Sequence, residues 1–242
     1  MLFAIFGLGA LILAGVVIPL ARLRSRAEPY DLLSQRIIHS SFRFFIGFGE
    51  RLGLLGLDIS GAELLQQPGH LVVANHPTLL DAVYLIAHMP QADCVVKKEV
   101  WSNPLLRHIA KAAGYIPNQG GEAVVEACAS RLRAGRSVVL FPEGSRSPVS
   151  GLRGFNRGAA HVALESGAPI TPVAISCDPP ALKKGQRWYH LPDQRLVFSL
   201  RVGREVYAKD LCEQGLARAI SVRQVTAALE SYFEERLEHG SA

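Results

Sequence analysis

The sequence predicts an α/β fold: a mixed, mostly internal sheet flanked by helices, with a membrane-associated helical segment at the N-terminus. Two patterns carry that prediction. From residue 57 onward, short apolar runs such as "LVVA" (71–74) and "VVLF" (138–141) alternate with stretches of helical periodicity. Before them, residues 1–21 contain no charged side chain. A chain of 242 residues is long enough for a sizeable core.

Taken in order, residues 1–21 as a helix would be roughly 31 Å long at ~1.5 Å per residue, against a hydrocarbon thickness of ~30 Å. A cleaved signal peptide needs a positive region before the apolar run and a small-residue cleavage site. Here the charges, Arg22, Arg24 and Arg26, come after it. That order favours a retained anchor over residues 1–26, and the arginines place the rest of the chain on the cytoplasmic side. Residues 27–56 read as an amphipathic helical segment, with Leu33, Ile37, Phe44, Phe48 and Leu52 at helical spacing and four phenylalanines between 42 and 48. Such a stripe suits the bilayer interface and the protein's own core equally well. Strands are expected at 57–60, 70–74, 93–97, 137–141, 169–176 and 196–202. Helices are expected at 79–89, 103–114, 122–134, 157–166 and 222–237. Residues 178–195 hold three prolines and four basic residues and read as a surface loop.

Hydrophobic residues make up 49% of the chain, and the mean hydropathy of +0.18 is high for a freely soluble protein. The excess is concentrated at the start. A net charge of +5 from 26 basic and 21 acidic residues suits anionic headgroups or substrates. No Lys/Arg stripe interleaved with aromatics points to nucleic acid. Cys94, Cys128, Cys177 and Cys212 form no CxxC pair and are too widely spaced for structural zinc, so they read as small buried hydrophobes and no metal site is expected.

Two stretches carry chemistry. In "VVANHPTLLD" (72–81), His76 follows a buried strand and Pro77 suits the first turn of a helix. Asp81 then falls a turn or so inside that helix. Residues five apart do not face each other on a regular helix. A His76 in the non-helical entry can still fold back on Asp81, which would fix its tautomer and raise its basicity. A structural histidine at a strand end explains the spacing as well. Asn75 can bond the ring, a ligand or the loop. In "VVLFPEGSRS" (138–147), Glu143 and Gly144 make a tight turn between Phe141-Pro142 and Arg146, with Ser145 beside it. Arg146 can grip a phosphate or carboxylate, and Glu143 can hold a hydroxyl or orient the arginine. A surface turn with a weak ion pair is the ordinary alternative.

Together, HxxxxD after a strand, "FPEGSRS" some way on, and "PITPVAIS" (169–176) resemble the glycerophospholipid acyltransferase family over roughly residues 57–205. The resemblance implies a catalytic domain at 57–242 on the cytoplasmic face of the inner membrane. It implies transfer of a fatty acyl group from acyl-CoA or acyl-carrier protein to a hydroxyl of 1-acylglycerol-3-phosphate or a related lyso-lipid. His76 would be general base and Asp81 its partner. Asn75, Glu143, Gly144, Ser145 and Arg146, with Asn118 and Arg157 from two further motifs, would bind substrate, and Thr171–Val173 would shape the pocket. No cofactor is needed, and no covalent acyl-enzyme, in keeping with the absence of a G-x-S-x-G elbow. Two alternatives remain: a thioester hydrolase with the same pair, and a non-catalytic lipid-binding relative.

The chain departs from the family twice. Where relatives carry Gly-x-Ile-x-Arg it has Gly114-Tyr115-Ile116-Pro117-Asn118, and where many carry Phe-Lys-Arg-Gly it has Phe155-Asn156-Arg157-Gly158. Charge-assisted hydrogen bonds are roughly twice as strong as neutral ones. The loss of two cations therefore favours a less anionic acceptor, such as an amino-acid lipid or glycolipid, unless Lys97, Lys98, Arg107 or Arg157 compensates.

Overall fold

A computed structural model describes residues 2–25, 28–148, 151–186 and 192–239. The apolar start forms α1 (Leu2–Ile12) and α2 (Ile18–Arg24), joined by a π-helical turn over Leu13–Val17 in which the Ile18 N–H donates to the Leu13 carbonyl. Pro19 has no N–H to give the preceding turn, and a widened turn accommodates such a residue. Ile5–Arg24 is long and apolar enough to cross a membrane. Leu8, Leu11, Ile12, Val16, Leu20 and Leu23 on it are exposed, while Phe6 packs its ring on Phe42 and Phe45. Arg26 and the expected boundary at 26/27 lie outside the described residues, as does 187–191 of the expected loop.

Helix α3 (Tyr30–Arg51) belongs with the core. It lies against α4 (Asp81–His88) and β1 (Leu55–Ser60), burying Leu33, Ile38, Phe45 and Ile46. Gln35 donates to Asp93 Oδ1 at 2.9 Å and to the Ala113 carbonyl at 2.8 Å, and His39 Nδ1 meets the Ile86 carbonyl. Arg136 fastens the same corner, bonding Asp93 through two nitrogens and Asp31 at 2.6 Å. The outer side of α3 keeps Phe44 70% exposed, stacked with Phe48. The core reading thus holds for one side of the helix, and the opposite side leaves Phe44 uncovered.

The remaining elements are β2 (Leu71–Ala74), β3 (Asp93–Val96), α5 (Lys98–Ser102), α6 (Pro104–Ala112), β4 (Ile116–Pro117), α7 (Gly121–Arg133), β5 (Val138–Leu140), α8 (Gly158–Ser166), β6 (Ile170–Asp178), β7 (Leu196–Val202) and α9 (Arg218–His239). The sheet order is β1-β7-β6-β2-β5-β3-β4. The five strands from β6 to β4 are parallel; β7 runs against β6, and β1 parallel to β7. Strand period 2 splits the core in two. Val72, Ala74, Val139, Val173 and Ile175 face the α3–α4 side, with Tyr84 stacked on Phe198. Leu71, Val73, Val138, Leu140 and Ala174 face α7, α8 and α9, with Cys128, Val225 and Phe233.

Several details differ from the sequence expectation, among them the start of α9, which is Arg218 and not 222. β1 starts at Leu55 and not at 57, because Gly56 pairs with Val197 and leaves room for Arg195, whose Nε bonds the Leu55 carbonyl. Strand β4 and helix α5 were not expected: β4 has two residues between turn-forming neighbours, and α5 is a single short turn after Lys97. Leaving β2, the chain runs to β3 and β4 on one side, then crosses from β5 to β6 on the other. This switch leaves the C-terminal ends of β2 and β5 side by side, the place where open α/β sheets bind ligands.

Candidate active site

The chain leaves β2 through Asn75, which is buried. Its Nδ2 donates to the Ile175 carbonyl at 2.8 Å and its Oδ1 accepts the Ile175 N–H at 2.7 Å. The amide therefore continues the β2–β6 ladder through a side chain. Asn75 thus fills the loop role that its place beside His76 left open.

His76 comes next and does turn back on Asp81, Nδ1 lying 2.7 Å from Oδ2. A carboxylate only accepts, so Nδ1 is the donor and the outer nitrogen, Nε2, carries the lone pair. Among the described residues Nε2 has no partner. Phe141 stacks on the ring at 4.4 Å between centroids. The His76 side chain is 21% exposed and that of Asp81 is fully buried. Asp81 also takes the Thr78 N–H at 2.7 Å and the Thr78 hydroxyl at 2.6 Å. This Thr78–Asp81 closure replaces a first helical turn. Helix α4 therefore begins at Asp81 and not at 79, and Asp81 is its first residue and not one inside it. Thr78 was missed in the sequence, although its spacing of three before an acid is an N-terminal signature. Burial pushes the Asp81 carboxyl up from its ordinary value, while the bonds from His76 and Thr78 pull it down.

The second stretch is built around Glu143, which is 1% exposed. Its Oε1 accepts the His76 N–H at 2.8 Å and the Ser147 hydroxyl at 2.7 Å, and its Oε2 accepts the Arg153 N–H at 3.1 Å. The Ser147 N–H in turn reaches the His76 carbonyl at 2.7 Å. Glu143 is thus a staple between two loops: it makes no bond to Arg146, and the hydroxyl it holds is that of Ser147. Gly144 has φ +66°, and a Cβ there would come within 2.8 Å of Asn156 Nδ2. Asn156 spends its amide and its backbone N–H on the Pro142 carbonyl, so the residue standing at a usual cation position serves to hold the turn.

Arg146 donates through Nη1 to the carbonyls of Leu182 and Lys183, at 2.8 and 3.0 Å, drawing the loop after β6 towards the site. Ser145 accepts a bond from Arg153 Nη1 at 3.0 Å. Asn118 follows the edge strand β4, exposed, with its N–H on the Val96 carbonyl. It lies three strands from β2, about 14 Å across the sheet. Arg157 is exposed at the start of α8. Thr171 bonds His70 Nδ1 at 2.8 Å, level with the beginning of β2, so it lies away from His76 and does not line the site.

The mixed sheet and the His–Asp pair at the C-terminal ends of its parallel strands define the class. A family model described as Acyltransferase matches residues 56–176, half of the chain, and the chain belongs to the acyltransferase family. It is 31% identical over 139 residues to a 1-acyl-sn-glycerol-3-phosphate acyltransferase of Helicobacter pylori, covering 54% of this chain and 56% of that protein. It is 34% identical over 122 residues to a lyso-ornithine lipid O-acyltransferase of Pseudomonas aeruginosa, covering 49% and 46%. The chain thus spans about half the length of these relatives. A crystal structure of the 1-acyl-sn-glycerophosphate acyltransferase of Thermotoga maritima superposes with a TM-score of 0.66 over 93% of both chains at 20% identity, a shared fold.

Proposed function

We propose that the chain is an O-acyltransferase that moves a fatty acyl group from the thioester of acyl-CoA or an acyl-carrier protein to a free hydroxyl of a lyso-lipid. The observation that carries this reading is an imidazole within reach of solvent, fixed through its inner nitrogen on a fully buried carboxylate. Asp81 holds the tautomer, so Nε2 takes the proton of the acceptor hydroxyl as its oxygen attacks the thioester carbonyl. The tetrahedral adduct collapses with cleavage of the C–S bond, and the imidazolium returns its proton to the departing thiolate. An ester and a free thiol leave, and no residue is acylated.

The relatives' names support a lyso-lipid acceptor, 1-acylglycerol-3-phosphate first and an amino-acid lipid second. The apolar helix over Ile5–Arg24 supports attachment to the inner membrane, with the arginines at its end keeping the site on the cytoplasmic face. The test incubates the full chain with one acyl thioester and a panel of lyso-lipids and identifies products by mass. Acylated lipid is expected; free fatty acid alone would indicate hydrolysis, and no product a binding role. His76→Ala should reduce kcat by roughly 10²–10⁴-fold. Unchanged turnover would remove His76 from the chemistry.

A further inference from the structure

In the sheet β2 lies between β5 and β6, so the segments that leave those two strands start about 10 Å apart, with His76 at the strand end between them. Arg146 crosses that gap. From the loop after β5 its Nη1 donates to the carbonyls of Leu182 and Lys183, at 2.8 and 3.0 Å, in the segment that follows β6. The near end of this bridge is fixed by the next residue. Ser147 donates its N–H to the His76 carbonyl at 2.7 Å and its hydroxyl to Glu143 at 2.7 Å.

The far end is fixed by packing. Ala181 and Leu182 are buried in the core on the α3–α4 side. Leu182 has φ +57°, in the left-handed region, which a branched side chain keeps only where its surroundings leave it no other. Beyond it the segment closes on itself, Lys183 N–H donating to Gln186 Oε1 at 2.8 Å and Gln186 N–H to the Lys183 carbonyl at 3.1 Å. Among the described residues Arg146 makes no ion pair, so its full charge strengthens the two bonds to carbonyls.

We propose that Arg146 is a positioning residue: it ties segment 179–186 across the end of β2 as one wall of the cleft around His76, and serves every acceptor alike. The inference rests on the acyltransferase reading and gives a residue of that site a role independent of the headgroup. A wall held in this way limits the poses of two substrates that must meet at His76 Nε2. A misplacement of about 1 Å in such an alignment costs roughly 10²-fold in rate. Without Arg146 the two carbonyls turn to water, Leu182 loses the contact that keeps its backbone left-handed, and the wall loosens.

The experiment compares the full chain in detergent micelles with Arg146→Gln and Arg146→Lys, first by hydrogen–deuterium exchange read by mass. Peptides covering 179–186 should exchange about tenfold faster in Arg146→Gln, while β2 and β5 keep their protection. Arg146→Lys still brings a charged donor and should restore part of the protection. Rates with a fixed acyl-CoA are then measured on 1-acylglycerol-3-phosphate and on lyso-ornithine lipid, an acceptor without phosphate. In Arg146→Gln kcat should fall at least about tenfold with KM nearly unchanged, by a similar factor on both acceptors, and Arg146→Lys should recover part of it.

Unchanged exchange at 179–186 would overturn the tether, and so would faster exchange spread over β2 and β5. A loss confined to KM for the phosphate acceptor would make Arg146 a headgroup ligand and overturn the proposal, as would faster exchange with wild-type turnover. If the wild type transfers no acyl group, the acyltransferase reading fails, and the exchange measurement alone decides whether Arg146 holds the segment.

Discussion

His76 is restrained on every side but one: its N–H by Glu143, its carbonyl by Ser147, its inner nitrogen by Asp81 and its ring face by Phe141. In the proposed role of base, a ring held this way needs little reorganisation when it takes a proton. Asn75, one residue earlier, performs the same service for the backbone. Replacing it with Ala would leave both Ile175 backbone groups without their partner in a buried setting, at a cost of about 1–3 kcal/mol each. Asn75→Ala should therefore lower Tm by several degrees and weaken turnover through displacement of His76. Thermal melts and steady-state rates would check this, and an unaltered Tm would show that water takes the place of the amide.

Among the elements, α3 carries the clearest electrostatic signature. Burial alone would raise the Asp31 carboxyl, but the hydrogen bond and charge of Arg136 outweigh it and hold the group below its ordinary value of 3.8. The stability this gives is present above the unfolded chain's pKa and is lost as pH falls through the lower folded value. Asp31→Asn should thus reduce Tm at neutral pH, with the gap to wild type closing as pH falls through the ordinary carboxylate value of 3.8 and below it. Melts across that range provide the measurement; a constant gap would mean that Asp31 acts through shape and not charge. Much of this level was legible in the sequence. The strands around "LVVA" and "VVL" and the helix before Gly167 are set by local patterns. What was not legible came from long-range contacts: the start of β1 depends on Arg195, and β4 exists because β3 lies beside it. At the site, the five-residue spacing of His76 and Asp81 allowed a turned-back ring and a structural histidine equally, and the choice between them was made by the loop geometry. The partners of Glu143 could not be read, since Ser147 and Arg153 bond it through side-chain and backbone geometry that spacing does not encode.

For the whole molecule, the N-terminal helices carry the largest group of exposed apolar residues, among them Leu8, Leu11, Leu20 and Leu23, while Phe44, Leu52, Leu54 and Leu79 are exposed elsewhere. A charged side chain near the centre of a membrane helix costs roughly 2.5–3.5 kcal/mol. The pair Leu11→Asp and Leu20→Asp, both on exposed positions, should shift the protein from the membrane pellet towards the supernatant while micellar turnover persists. Sedimentation with anionic vesicles reads the first outcome and a detergent assay the second. Full retention in the pellet would assign membrane attachment to other surfaces.

The single carboxylate of Glu143 has a consequence for selectivity. It ties the backbone of His76 to the backbone of Arg153, so the loop after β2 and the loop after β5 cannot drift apart independently. If His76 takes the proton as proposed, a lipid must bring its alcohol to a ring that cannot shift to meet it, so reach as well as charge decides which lipids are turned away.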